Sequence, residues 1–210
     1  MMKAEVDISR DIAKALLEIK AVFLRPDDMF TWASGIKSPI YCDNRITLSH
    51  PKIRDLVKEA FVKTIQMKFP AAECIAGVAT AGIPHAALIA DALNLPMVYI
   101  RTSSKDHGRE NLIEGDLAKG AKVVVIEDLI STGGSVIKAI NNLQNASADV
   151  LGLVAIFDYK LEKSIKAFLE LDLPYYSLSN YDELIEVALE KGYIKAEDLD
   201  FLKTWRNSLN

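Results

Sequence analysis

The side chains best suited to chemistry gather in one short run, Glu127-Asp128-Leu129-Ile130-Ser131-Thr132-Gly133-Gly134-Ser135. Two adjacent acids precede a loop of small, hydroxyl-rich residues. If that loop opens a helix, its free backbone N–H groups and the helix dipole favour a phosphate, the glycines permit close backbone approach, and the hydroxyls add donors. The run matches neither the Walker loop nor the G-x-G-x-x-G dinucleotide fingerprint. A carboxylate beside a phosphate is repelled by it, so Glu127 and Asp128 must meet another part of the same ligand. Sugar hydroxyls fit: the acids can accept hydrogen bonds from a ribose whose 5′-phosphate lies in the loop. They would also stabilise positive charge developing on the ring as a bond to the anomeric carbon breaks. An acidic turn followed by a capped helix accounts for either half of the run, but poorly for the whole.

These residues must be held by regular elements. The run is preceded by Val123-Val124-Val125-Ile126, and the spacing predicts a strand over 122–126 that ends just before the acids. Further strands are expected at 74–78, 97–100, 150–157 and 175–178, and helices at 84–93, 134–143, 161–169 and 181–191. Before them, a helix is expected from Ser9, a plausible cap, to about Val22, and another from Pro51 to about Phe69. Residues 23–45, rich in aromatics, Pro and Gly, read as loop and short strands. Strands that are continuously apolar and alternate with helices indicate an α/β fold with a mostly parallel central sheet flanked by helices. In such sheets ligands bind at the carboxyl ends of the strands, where Glu127 and Asp128 are expected. Residues 101–116 are long, polar and expected to be mobile.

Composition excludes several classes. The chain carries 25 basic against 29 acidic residues, net −4, so nothing draws it to nucleic acid. Apolar runs are too short for a membrane span. Cys42 and Cys74 stand apart, without the paired spacing of a metal site, and are expected to be reduced thiols in a cytoplasmic protein.

The run 123–135 resembles the phosphoribosyl-pyrophosphate signature of the type I phosphoribosyltransferases. Three further stretches, SGIKSPIYCDNR at 34–45, GVATAGIPHAALIAD at 77–91 and YIRTSSKDHGRENLIEG at 99–115, are similar to the orotate phosphoribosyltransferase branch of that family. The likeness covers nearly the whole chain. It implies one domain over 1–210 with residues 1–45 as an N-terminal hood. It implies transfer of a 5-phosphoribosyl group from 5-phospho-α-D-ribose 1-diphosphate to orotate, with Mg²⁺ carried mainly by the phosphoribosyl pyrophosphate, and no protein metal site. Lys105 and Asp128 are the implied catalytic residues; Lys37, Arg101, His107, Glu127 and Leu129 to Ser135 join them in binding substrates. The resemblance also implies a homodimer in which the loop with Lys105 and His107 completes the neighbouring subunit's site, closes, and excludes water.

The chain departs from some branches, which place lysines where it has Ala81 and Thr102 and an arginine where it reads IFDYKLEK. Ser131, backbone amides and Lys37 then fall on the orotate side. Phe30 and Trp32 either cover the base or pack the hood, and Trp205 reads as packing. Rival readings are a purine phosphoribosyltransferase, which gives no reason for residues 34–45, a regulator that senses phosphoribosyl pyrophosphate, which would add a basic surface, and a nucleoside kinase, which would need a Walker loop.

Overall fold

A computed structural model describes residues 2–31, 35, 37–101 and 112–209, with side chains from residue 7 onward. Its centre is a six-stranded sheet built from β5 (Cys74–Val78), β6 (Met97–Ile100), β7 (Ile113–Glu114), β8 (Lys122–Ile130), β9 (Asp149–Asp158) and β10 (Tyr175–Asn180). The strand order is β10-β9-β8-β5-β6-β7, parallel throughout except for the antiparallel edge pair β6–β7. This is the mostly parallel α/β sheet that the sequence predicts.

Period-two alternation within β8 shows how helices come to cover both faces. Val124 and Ile126 enter one core with α1 (Met2–Glu18), α2 (Pro51–Lys68), α3 (Gly82–Leu93), α6 (Tyr181–Glu190) and α7 (Ala196–Asn207). Val123 and Val125 enter the other, with α4 (Gly134–Asn145) and α5 (Glu162–Glu170). At Gly152 in β9 a Cβ would lie 2.5 Å from the Pro174 carbonyl oxygen and against the Phe69 ring, so only glycine lets α2 close on the sheet there.

Two expected boundaries move. The first helix begins at Met2, not Ser9, and stops at Glu18. Lys20 takes a left-handed φ of 57° and the Ala21 N–H returns to the Leu16 carbonyl, a closure that ends the helix before Val22. Val22 instead opens β1 (Val22–Leu24), antiparallel to β4 (Ile40–Cys42). A second small pair, β2 (Phe30–Thr31) with β3 (Lys37–Ser38), completes this segment. Helix α1 packs against α6 and β10, so its apolar face belongs to the main core. The second shift is larger: β8 does not end at Ile126 but runs on through both acids to Ile130, paired with β9 as far as Ile130↔Asp158.

Candidate active site

Glu127 and Asp128 therefore sit within a strand. Glu127 is only 6% exposed, and its Oε1 accepts a hydrogen bond from the Asp128 backbone N–H at 2.9 Å. Asp128 is half-buried. Burial, reinforced by Asp128, pushes the Glu127 carboxyl well above the usual carboxylate range, and burial raises Asp128 too. Neighbouring like charges in a dry place share a proton more readily than both ionise.

The elements around the pair come from distant parts of the chain. After β5, the turn Ala79–Ala81 contains a cis peptide between Ala79 and Thr80 and leads directly into α3. A Cβ on Gly82 would lie 2.5 Å from the Ile126 carbonyl oxygen and 3.5 Å from the Glu127 Cα, so the stretch 77–91 is seated against the acids through a missing side chain. From the other direction, Asn44 Nδ2 donates to the Asp128 main-chain carbonyl at 2.7 Å. Asn44 opens a 3₁₀ helix, Asn44–Ser49, capped by Asp43, which Arg45 grips through Nε and Nη2 at 2.6 and 2.8 Å. That contact holds the Asp43 carboxyl below its usual range.

The small-residue loop lies where expected. β8 ends at Ile130, Gly133 takes a left-handed φ of 79°, and α4 starts at Gly134, so the exposed Thr132, Gly134 and Ser135 surround a helix N-terminus. Leu129 and Ile130 differ from this. Ile130 is buried in the core, its carbonyl accepting from the Tyr159 N–H, and Leu129 packs against the opposite core; neither offers a free side chain to a ligand.

Of the cations, Arg101 directly follows β6 and pairs with Glu114 at 3.5 Å. It lines a cavity of about 710 Å³ with Val78, Ile100, Gly134, Ser135 and Lys138, which brings Arg101 and the loop onto one surface; Glu127 and Asp128 do not line it. Lys37 is exposed on β3. Its Nζ donates to Thr31 Oγ1 at 2.8 Å across the β2–β3 ladder, and its carbonyl accepts from Trp205 Nε1 at 2.9 Å. Lys105, His107, Trp32 and Thr102 lie outside the described residues. Phe30 packs between Phe23 and Tyr41, with the Arg25 guanidinium over its ring. Within the stretch IFDYKLEK, Tyr159 is buried and packs on Phe157 and Tyr181. His85 is buried in α3, and desolvation pushes it down to about 4, which fits a neutral packing role.

Comparison with known proteins draws these features together. The phosphoribosyl transferase domain model matches residues 46–175, which include the acids, the loop and α3. A Bacillus subtilis (strain 168) protein named orotate phosphoribosyltransferase is 60% identical over 94% of this chain and 91% of its own length. The chain belongs to the orotate phosphoribosyltransferase family. A second member, from Staphylococcus haemolyticus, is 55% identical over 96% of this chain and the whole of its own. Among solved structures, orotate phosphoribosyltransferase from Aeropyrum pernix superposes with a TM-score of 0.76 at 28% identity, covering 88% of this chain and 99% of that one. Leishmania donovani UMP synthase gives a TM-score of 0.80 at 29% identity, covering 95% of this chain and 42% of that one. The contacts of Asn44 with the Asp128 carbonyl and of Trp205 with the Lys37 carbonyl escape a reading of the sequence, since nothing local marks either one's partner.

Proposed function

We infer that this protein transfers the 5-phosphoribosyl group of 5-phospho-α-D-ribose 1-diphosphate to N1 of orotate, releasing pyrophosphate and giving orotidine 5′-monophosphate in pyrimidine synthesis. The observation that carries the residue assignments is the acid pair in β8, beside the N-terminus of α4 on one side and the glycine-seated start of α3 on the other. In this reading the backbone amides and hydroxyls of Thr132, Gly133, Gly134 and Ser135 take the 5′-phosphate. Asp128, more open than Glu127, accepts the ribose hydroxyls and stabilises charge at the ring as the bond to pyrophosphate lengthens. Arg101, Lys105 and His107 neutralise the leaving group, while Lys37, near Ser131 in role, serves the orotate side. In this reading the hood expected over 1–45 narrows to segment 22–42 with its two small sheets, since α1 packs into the main core, on a single domain spanning 1–210.

Among the described residues no group of three or more His, Cys, Asp or Glu is placed to hold a metal. A divalent ion would come with the substrate, and Mg²⁺ on the diphosphate oxygens would supply further charge neutralisation. No helix among the described residues is long and apolar enough to cross a membrane, and both cysteines are unpaired, which supports a reducing, cytoplasmic setting. Pyrophosphate release with Mg²⁺, phosphoribosyl pyrophosphate and each candidate base tests the reading: release with orotate and not with purines is expected, and the reverse would refute it.

The working form in this reading is a homodimer with shared sites. Mixing Lys105→Ala with Asp128→Asn, each nearly inactive alone, tests it: random pairing should restore roughly a quarter of wild-type activity, since half the dimers are mixed and half their sites intact. No recovery despite demonstrated mixed dimers would place the loop in its own subunit's site.

A further inference from the structure

The acids occupy an edge of β8 that has lost its neighbour. The ladder with β5 ends at Gly77↔Ile126, while the ladder with β9 continues to Ile130↔Asp158. The Lys122 carbonyl accepts from the Glu73 N–H, so the main-chain groups of Lys122 face β5, and by the strand's period of two so do those of Val124 and Ile126. The alternation shifts beyond Ile126, and at Asp128, past the end of the β5 ladder, the main-chain groups take other partners. Its N–H turns to Glu127 Oε1 at 2.9 Å and its carbonyl to Asn44 Nδ2 at 2.7 Å. Asn44 is 0% exposed and is itself fixed: its Oδ1 accepts from Cys42 Sγ at 3.4 Å, and its carbonyl accepts from Thr47 Oγ1 at 2.6 Å.

We propose that Asn44 is a positioning residue for the acid pair, its amide standing in for the missing strand and fixing the peptide from which the Asp128 side chain departs. The proposal rests on the ribose reading of Asp128. Without the amide donor the Asp128–Leu129 peptide is free to rotate toward another partner, and the carboxyl would leave the ribose hydroxyls by a fraction of its reach. Catalysis is sensitive to displacements of that size, whereas the fold retains the β9 ladder on the other side. Asn44 also connects the acids to β4, two residues upstream, so segment 22–42 and the strand carrying the chemistry are joined at one hydrogen bond.

A double-mutant cycle tests this. Asn44→Ala and Asn44→Asp are each made in the wild-type chain and in Asp128→Asn, and single-turnover pyrophosphate release, KM for both substrates and thermal melting are measured. Each Asn44 variant is expected to lower kcat by roughly 10–100-fold with KM for orotate within about 3-fold. In the Asp128→Asn background the same change should cost less than about 3-fold more, because the group it positions is already gone. Asn44→Asp has the shape of asparagine and decides the matter if Asn44→Ala does not fold. Wild-type kcat in Asn44→Asp, or an equal loss in both backgrounds, overturns the proposal. Near-normal turnover of Asp128→Asn alone overturns the ribose reading and the proposal together, and is recognised in that single variant without reference to the cycle.

Discussion

Replacing Glu127 with Gln should make the protein more stable and far less active. The carboxyl is 6% exposed, pressed against Asp128, and titrates well above its ordinary range because burial disfavours its charge. In the unfolded chain it ionises freely. Between the unfolded and folded pKa values the native state therefore binds more protons than the unfolded one, so stability is lost as pH rises through that interval and is unaffected below the ordinary carboxyl range. Glutamine keeps an oxygen for the Asp128 N–H and has nothing to titrate. The relief should be about 1–3 kcal/mol at pH 8, the usual cost of an imperfectly compensated buried polar group. For a chain of 210 residues that is about 2–12 °C in Tm, at about 2–4 °C per kcal/mol. Turnover with orotate should fall by roughly 10²–10³. Melting curves from pH 5 to 8.5, beside pyrophosphate release, give both quantities. If Glu127→Gln melts below wild type at pH 8, or the gap fails to widen with pH, burial does not govern this carboxyl as argued.

Three other substitutions separate architecture from chemistry. Gly152→Ala forces a methyl against Phe69 and the Pro174 carbonyl; urea titration should show a loss of about 1–3 kcal/mol with specific activity of the folded protein unchanged. Gly82→Ala pushes on the Ile126 carbonyl beside Glu127, and kinetic assay should find turnover reduced even at temperatures where circular dichroism reports a fully folded chain. Trp205→Phe keeps the packing but removes the donor to the Lys37 carbonyl; KM for orotate should rise about 3–10-fold, the equivalent of one modest hydrogen bond, with kcat nearly constant.

The contrast between what the sequence reveals and what it conceals follows chain distance. The acids and the loop are contiguous, so their pairing could be read from residue types alone, and continuously apolar runs alternating with helical patterns made the parallel sheet legible. The end of β8 was not, because Glu127 and Asp128 break the apolar run while main-chain pairing with β9 continues regardless of side-chain polarity. Asn44 and Asp128 are 84 residues apart and meet through a main-chain carbonyl, which leaves no trace in composition. Helix α7 escaped notice for a related reason: of its twelve residues only Leu202 and Trp205 are buried, too sparse a stripe to show periodicity.

The hydrogen bond between Trp205 and Lys37 spans 168 positions, and that separation has a temporal meaning. As the chain is synthesised, β3 is made early, and the indole that holds its carbonyl follows only after every strand of the sheet. The acid strand and its loop are complete in sequence well before α7, whereas the Lys37 carbonyl cannot gain its indole donor until α7 docks. A nascent chain halted between α6 and α7 would accordingly hold every strand of the sheet while β3 still lacked that donor, so the two ends of the chain settle at different moments in the protein's birth.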